Sequence, residues 1–184
     1  MKLIREVFGA IKLIQFERFD DERGFFSEVF RTDMLCSLGI NDSFVQENQS
    51  VSYNNVIRGL HLQYIPKQSK LIRVVKGTAK FIELDFRPGN TFGKHAEFII
   101  NDSDNVLLWV PFGFANGFLS MSDELIVNYK VTDYWNNNGE IVIRYDSPEL
   151  NINWQITNPI ISTKDLAGLT FSDFTQHILP KIDF

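Results

Sequence analysis

The sequence predicts an all-β fold, a double-stranded β-helix jelly roll with a few short helices. Short runs rich in Val, Ile and aromatic residues recur along the chain, each bounded by Gly, Pro, Asn or Asp. Aromatic content is 14%, with 17 Phe. No long helical pattern separates the runs, so the βαβ alternation of a parallel sheet is absent and a sandwich or barrel is the architecture that remains.

In chain order, residues 32–38 form a short helix with Thr32 or Asp33 as N-cap and Gly39 as its stop. Residues 70–75 and 79–86 are β-rich and are separated by Lys76-Gly77-Thr78, which reads as a hairpin. In the second run Lys80, Ile82, Leu84 and Phe86 share one face, and Ala79, Phe81, Glu83 and Asp85 share the other. Strands follow at residues 96–100, 106–110, 124–132 and 140–145, punctuated by Pro88-Gly89-Asn90, Asn101-Asp102 and Asn136 to Gly139. Residues 163–184 hold a further helical turn or two. With no repeat, linker or low-complexity tract, residues 1–184 read as a single domain.

Composition narrows the function. In the 184 residues, 18 Lys+Arg stand against 23 Asp+Glu, a net charge of -5. A main task of gripping nucleic acid is disfavoured by that balance, although a local basic pocket for one small anion is not. The lone Cys36 excludes an internal disulfide and a four-thiolate metal site. Arg5, Glu6 and Lys12 interrupt every apolar stretch at the start, so no signal peptide is expected. Nowhere does the sequence approach the roughly 20 apolar residues of a membrane helix. The expected location is the cytoplasm, and no membrane or nucleic-acid partner is expected.

Four stretches carry candidate chemistry. In Ile57–Gln63, strict alternation puts Gly59, His61 and Gln63 on one side. A His-x-His pair here would point to a metal, but Gln63 takes the second position and Lys67, Lys70 and Arg73 follow, and cations repel a divalent ion. Imidazole beside cations suits an anionic substrate and a proton to be taken; it is equally compatible with a hydrogen-bonded core histidine. Alternation through Asn128 to Trp135 sets Tyr129, Val131 and Asp133 against Lys130, Thr132 and Tyr134, giving either a phenol aimed into a cavity or ordinary packing. Val110 to Phe118 is a tight, aromatic-lined path or a plain hairpin, and Ser162 reads as an N-cap.

Taken in order, several motifs closely resemble the dTDP-4-dehydrorhamnose 3,5-epimerase family. They are Asp21-Glu22-Arg23-Gly24-Phe25-Phe26-Ser27-Glu28, Phe44-Val45-Gln46-Glu47-Asn48-Gln49-Ser50, Arg58-Gly59-Leu60-His61, Lys70-Leu71-Ile72-Arg73-Val74, Pro111 to Phe118, Tyr129-Lys130 and Ile161-Ser162-Thr163-Lys164-Asp165. The resemblance covers about residues 15–170. It implies a metal-free, cofactor-free cupin-like jelly roll, working as a homodimer on the route to dTDP-L-rhamnose and lipopolysaccharide.

The resemblance makes His61 the catalytic base and Asp165 its partner, a carboxylate that fixes the imidazole tautomer. Lys70 matches the position beside the C4 oxygen, where a fixed ammonium stabilises a developing enolate. Tyr129 matches the acid that returns a proton from the opposite face. Arg58, Gln46 and Asn48 match positions holding diphosphate and sugar, and Arg23 and Glu28 match positions that reach the nucleobase from a neighbouring subunit. Trp135 falls where a Tyr usually stacks on thymine; Glu140 and Lys164 match lesser binding positions.

The chain departs from the family at Gly-Phe-Ala-His-Gly-Phe, where Asn116 replaces the His close to the substrate. Asparagine keeps donors and an acceptor but does not titrate. Glu47 stands for an Asp, and Asn136 to Gly139 replaces a stretch that commonly carries Pro. The expected activity is C3 and C5 epimerisation of dTDP-4-keto-6-deoxy-D-glucose. The open alternatives are a single-centre epimerase of a related nucleotide-linked 4-keto sugar, an inactive sugar-nucleotide-binding homologue and, least favoured, a metal-dependent cupin.

Overall fold

The computed structural model describes all 184 residues. Its strands and helices are, in order, β1 (Lys2–Val7), β2 (Ile11–Gln15), β3 (Phe19–Asp21), β4 (Gly24–Phe26), α1 (Thr32–Ser37), β5 (Gln46–Tyr53), β6 (Ile57–Gln63), β7 (Lys70–Lys76), β8 (Thr78–Asp85), β9 (His95–Asn101), β10 (Val106–Val110), β11 (Phe114–Ser120), β12 (Glu124–Val131), β13 (Glu140–Val142), α2 (Thr163–Leu166) and α3 (Phe171–His177). One sheet runs β1-β2-β10-β7-β12-β5 and the other β13-β6-β11-β8-β9; β3 and β4 form a separate hairpin.

Both sheets are covered on their outer faces over the central strands, and side-chain alternation shows how. On β10, Val106, Leu108 and Val110 enter the cluster between the sheets, where Phe81, Phe98, Phe114 and Phe118 meet them. The intervening Leu107 and Trp109 point outward and pack with Ile14, Phe16, Leu35 and Ile40 beneath α1. On the outside of the second sheet, Ile82, Leu84 and Phe86 are covered by Leu150, Trp154, Phe171 and Phe174 from the C-terminal segment. A strand apolar on both faces is the signature of a sheet buried on both sides. Each fully buried Leu or Phe contributes about 1.5–3 kcal/mol. The two-face division expected for residues 79–86 is the one observed.

The expected hairpin at Lys76-Gly77-Thr78 does not form. β7 belongs to one sheet and β8 to the other, so this is a corner where the chain changes sheets. Gly77 fits it: φ is +86°, and a Cβ would lie 2.6 Å from the Glu124 carbonyl oxygen. The Val110 to Phe118 stretch likewise crosses between sheets, from β10 to β11, and is not a hairpin. The within-sheet hairpin in this region is β8–β9, paired from Thr78↔Asn101 to Leu84↔His95.

Alternation is also broken in β6, with consequences for the pocket. Asn116 pairs with His61 and Phe118 with Arg58, so β6 carries one more residue than β11 over this step. The bulge turns Arg58, rather than the expected Gly59, to the same side as His61. Gly59 has φ +114°, and a Cβ there would sit 2.7 Å from the Asn116 carbonyl oxygen and 2.7 Å from Gly117 Cα.

The helices are close to their expected places. α1 is capped one residue earlier than expected, at Arg31, with no side-chain cap; Asp33 instead pairs with the Arg31 guanidinium at 2.7 Å. Gly39 follows the helix with φ +78°, as a stop residue does. In the C-terminal segment Ser162 and Thr170 accept from the Asp165 and Asp173 backbone N–H groups, capping α2 and α3. No helix is long and apolar enough to cross a membrane.

Gly59→Ala is expected to destabilise the protein by about 3 kcal/mol or more, because strain at positive φ and backbone overlap add. A denaturant titration against wild type measures it, and an unchanged midpoint would show that the bulge tolerates a Cβ.

Candidate active site

Strands from both sheets supply a pocket of about 120 Å³ lined by Ser50, Arg58, His61, Lys70, Ile72, Phe81, Asn116, Phe118, Val127 and Tyr129. Its floor is apolar, from Ile72, Phe81, Phe118 and Val127. Its polar groups enter from separate strands: Arg58 and His61 from β6, Lys70 from β7, Asn116 from β11 and Tyr129 from β12.

His61 is half-buried and its Nε2 lies 2.7 Å from Asp165 Oδ1. The Asp165 side chain is only 4% exposed, and its Oδ2 accepts the Gly59 N–H at 3.2 Å. Residues 104 positions apart thus meet through the bulge of β6 and the first turn of α2. Burial pushes the Asp165 carboxyl up, but hydrogen bonding to His61, the His61 charge and the Gly59 N–H outweigh it and hold the group below the usual carboxylate range. An ionised Asp165 only accepts, so Nε2 carries the shared proton and the Nδ1 lone pair is the basic position of the ring.

Across the pocket, burial lowers the Lys70 ammonium below its ordinary range, against the opposing charges of Glu83 and Glu140. The Lys70 Nζ lies 3.4 Å from the His61 carbonyl oxygen. Tyr129 pairs with Asn48 across β12 and β5. Burial and the charge of Glu140 raise its phenol, and Arg58 and Asn48 partly offset them, so it is a neutral hydroxyl able to donate. Asn116 donates from Nδ2 to Glu83 Oε1 at 2.6 Å.

A polar rim borders this centre. Gln46 Nε2 donates to Asn48 Oδ1 at 2.8 Å, and Gln46 Oε1 accepts the Trp135 backbone N–H at 3.1 Å. The exposed Trp135 indole donates to Glu140 Oε2 at 3.1 Å, and Lys164 reaches the same carboxylate. Burial raises the Glu140 carboxyl, but Lys164, Trp135 and the charge of His61 hold it below its ordinary range. Arg58 Nε donates to Ser52 Oγ at 2.9 Å, and a terminal nitrogen donates to the Val51 carbonyl at 3.0 Å.

The structure therefore brings His61, Asp165, Lys70, Tyr129, Arg58 and Asn116 together, with Gln46, Asn48, Trp135, Glu140 and Lys164 tied into one adjoining network. Arg23 and Glu28 are not at the pocket. Arg23 is exposed on the β3–β4 hairpin and pairs with Asp21 at 2.6 Å, and Glu28 lies 3.8 Å from Arg31. Gln63, the second position of the His-x-Gln pair, is occupied structurally: its Nε2 donates to the Pro66 and Tyr134 carbonyls at 3.2 and 3.0 Å, and its Oε1 accepts the Asn136 N–H at 2.8 Å. No group of three or more His, Cys, Asp or Glu side chains comes together in the chain.

Sequence reasoning assigned no role to Ser50 or Glu83. Ser50 sits in a polar row of β5 that offers no apolar pattern to read. Glu83 was visible only as an acidic residue alternating with Ala79 and Phe81.

The chain matches the family model described as dTDP-4-dehydrorhamnose 3,5-epimerase over residues 6–173. A Neisseria gonorrhoeae protein named dTDP-4-dehydrorhamnose 3,5-epimerase is 41% identical over 181 residues, covering 97% of this chain; the chain spans 55% of that protein's length. A Bacillus anthracis dTDP-4-dehydrorhamnose 3,5-epimerase, solved with TDP and PPi bound, superposes with a TM-score of 0.90 at 38% identity, covering 92% of this chain and 99% of that one. A Legionella pneumophila dTDP-6-deoxy-D-glucose-3,5-epimerase in complex with dTDP-4-keto-L-rhamnose gives a TM-score of 0.88 at 36% identity, covering 99% and 94%. The jelly roll is accordingly cupin-like. With the match extending from β1 to α3, this chain is a member of the dTDP-4-dehydrorhamnose 3,5-epimerase family of isomerases.

Proposed function

We propose that the protein epimerises C3 and C5 of dTDP-4-keto-6-deoxy-D-glucose, giving dTDP-4-keto-L-rhamnose, with no redox cofactor. The observation that carries this reading is the His61–Asp165 pair facing the same pocket as Lys70 and Tyr129. The C3 and C5 hydrogens are acidic because the C4 carbonyl accepts the electron pair. His61 takes the proton, the C–H pair becomes the enolate double bond, and the carbonyl pair moves to oxygen. Lys70 stabilises that oxygen as charge develops. Tyr129 then gives its proton to the opposite face of the carbon, the C4 carbonyl re-forms, and the centre is inverted. Solvent restores the two protonation states, so substrate and product are isomers.

Arg58, Gln46 and Asn48 bind diphosphate and sugar in this reading, Trp135 stacks on the nucleobase, and Glu140 and Lys164 are lesser binding positions. The protein acts as a cytoplasmic homodimer of one-domain chains. The β3–β4 hairpin and the residues just after it deliver Arg23 and Glu28 to the partner's site, a role in keeping with the exposed Phe19, Phe25 and Phe26 of the hairpin. The relatives named for this activity support the substrate, and Asn116 in place of the usual His is the reason to test it.

Proton NMR in deuterated water with dTDP-4-keto-6-deoxy-D-glucose is expected to show deuterium entering at both C3 and C5. Deuterium at one carbon alone would replace this reading by a single-centre epimerase. No exchange with this substrate would overturn it.

His61→Ala is expected to lower exchange by about 10²-fold or more while dTDP binding by calorimetry stays near wild type. Tyr129→Phe is expected to retain deuterium exchange but lose product; ordinary inversion would remove Tyr129 as the acid.

Asp165→Asn is expected to lower kcat by about 10²-fold and to reduce stability at neutral pH. Because the folded-state pKa of Asp165 is depressed, its contribution is fully present above the unfolded value of about 3.9 and disappears as pH falls through the folded value. Wild-type and variant melting temperatures are therefore expected to converge on acidification.

A further inference from the structure

Glu83 is a carboxyl on the interior face of a sheet, alternating with Ala79 and Phe81. It is 0% exposed and stands directly opposite Asn116 in the β8–β11 register. Its Oε1 accepts Asn116 Nδ2 at 2.6 Å, whereas its buried Oε2 has no hydrogen-bond partner. Such an oxygen is uncommon in a folded protein and calls for an explanation. Burial pushes the Glu83 carboxyl well above its ordinary range, against the hydrogen bond from Asn116 and the charge of Lys70, the cation that meets it electrostatically.

We propose that Glu83 is a positioning residue for the epimerase pocket, orienting Asn116 and setting the charge on Lys70 without itself touching the substrate. This rests on the reading of the pocket given under Proposed function. Glu83 Oε1 takes the amide nitrogen of Asn116 and so fixes which end of the amide is left for the pocket. A neutral side chain in place of the usual His thereby acquires one orientation.

The effect on Lys70 is electrostatic. The acidic groups that bear on Lys70 are Glu83 from β8 and Glu140 from β13. The other titratable groups lining the pocket are His61 and Arg58 from β6 and Tyr129 from β12. Burial favours the neutral amine, and the two carboxylates favour the ammonium. Glu140 is near the rim and shared with Lys164 and Trp135, whereas Glu83 is sealed from water and little screened. A neutral amine would do far less for an enolate oxygen than an ammonium.

Glu83→Gln keeps an acceptor for Asn116 and removes the charge. The expected result is a kcat about tenfold lower or more, a KM within about threefold of wild type, and an alkaline limb of the kcat profile displaced to lower pH. Glu83→Ala is expected to raise KM as well, because Asn116 loses its anchor. Wild-type kcat and an unmoved pH profile in Glu83→Gln would overturn the proposal.

Should these variants fail to fold, carbon-13 NMR of glutamate-labelled wild-type enzyme provides the test. The Glu83 carboxyl resonance is expected to titrate above those of exposed carboxylates, because burial raises it, and to move higher still in Lys70→Met, because the ammonium holds it down; a Glu83 titration unmoved in Lys70→Met would overturn the proposal. Absence of deuterium exchange in the wild type would overturn the epimerase reading alone, since this titration judges Glu83 independently.

Discussion

Much of this molecule follows from the need to bury the inner faces of two sheets and the apolar parts of their outer faces with one short chain. Two sheets packed together hide their inner faces but leave two apolar outer faces exposed to water. The chain answers with α1 and the segment around it on one side and the C-terminal segment on the other, so that Phe16, Leu35 and Trp109 lie in one outer cluster and Phe86, Trp154 and Phe174 in the other. The residues placed outside the sheets are therefore structural before they are anything else. One of them, Asp165 on α2, is also the group that meets His61.

The pocket exists because the inner face is apolar along most of its length but polar where β5, β6, β7, β11 and β12 approach one another. Polar side chains there are affordable only when partnered, and most are: Arg58 by Ser52, His61 by Asp165, Asn116 by Glu83. The bulge in β6 admits both Arg58 and His61 to one face, which a regular strand would have prevented. A local irregularity of one residue thus sets how Arg58, the proposed anion-binding cation, and His61, the proposed base, lie relative to each other.

The strands with apolar inner faces, such as β10 and β12, were legible because alternation and turn residues announce them. β5 was not, since its inward row is Gln46, Asn48, Ser50 and Ser52 and offers no apolar period to detect. The corner at Gly77 was read as a hairpin because glycine serves both geometries; which one forms depends on which sheet the next strand joins, a long-range fact. His61 stood out from its cationic neighbours, but its pairing with Asp165 came only through the family resemblance, since no local pattern spans that separation. Glu83 was placed on the right face, yet its meaning depended on a cross-strand register with Asn116 that alternation alone does not supply.

The position of α2 in the chain has a temporal consequence. A helix of four residues has no stability of its own, and α2 keeps its shape through the Ser162 cap and its docking against β6. During synthesis, every strand of both sheets leaves the ribosome before Asp165 does. His61 is thus made with its sheet, and the carboxylate that orients it is made only after every strand is complete.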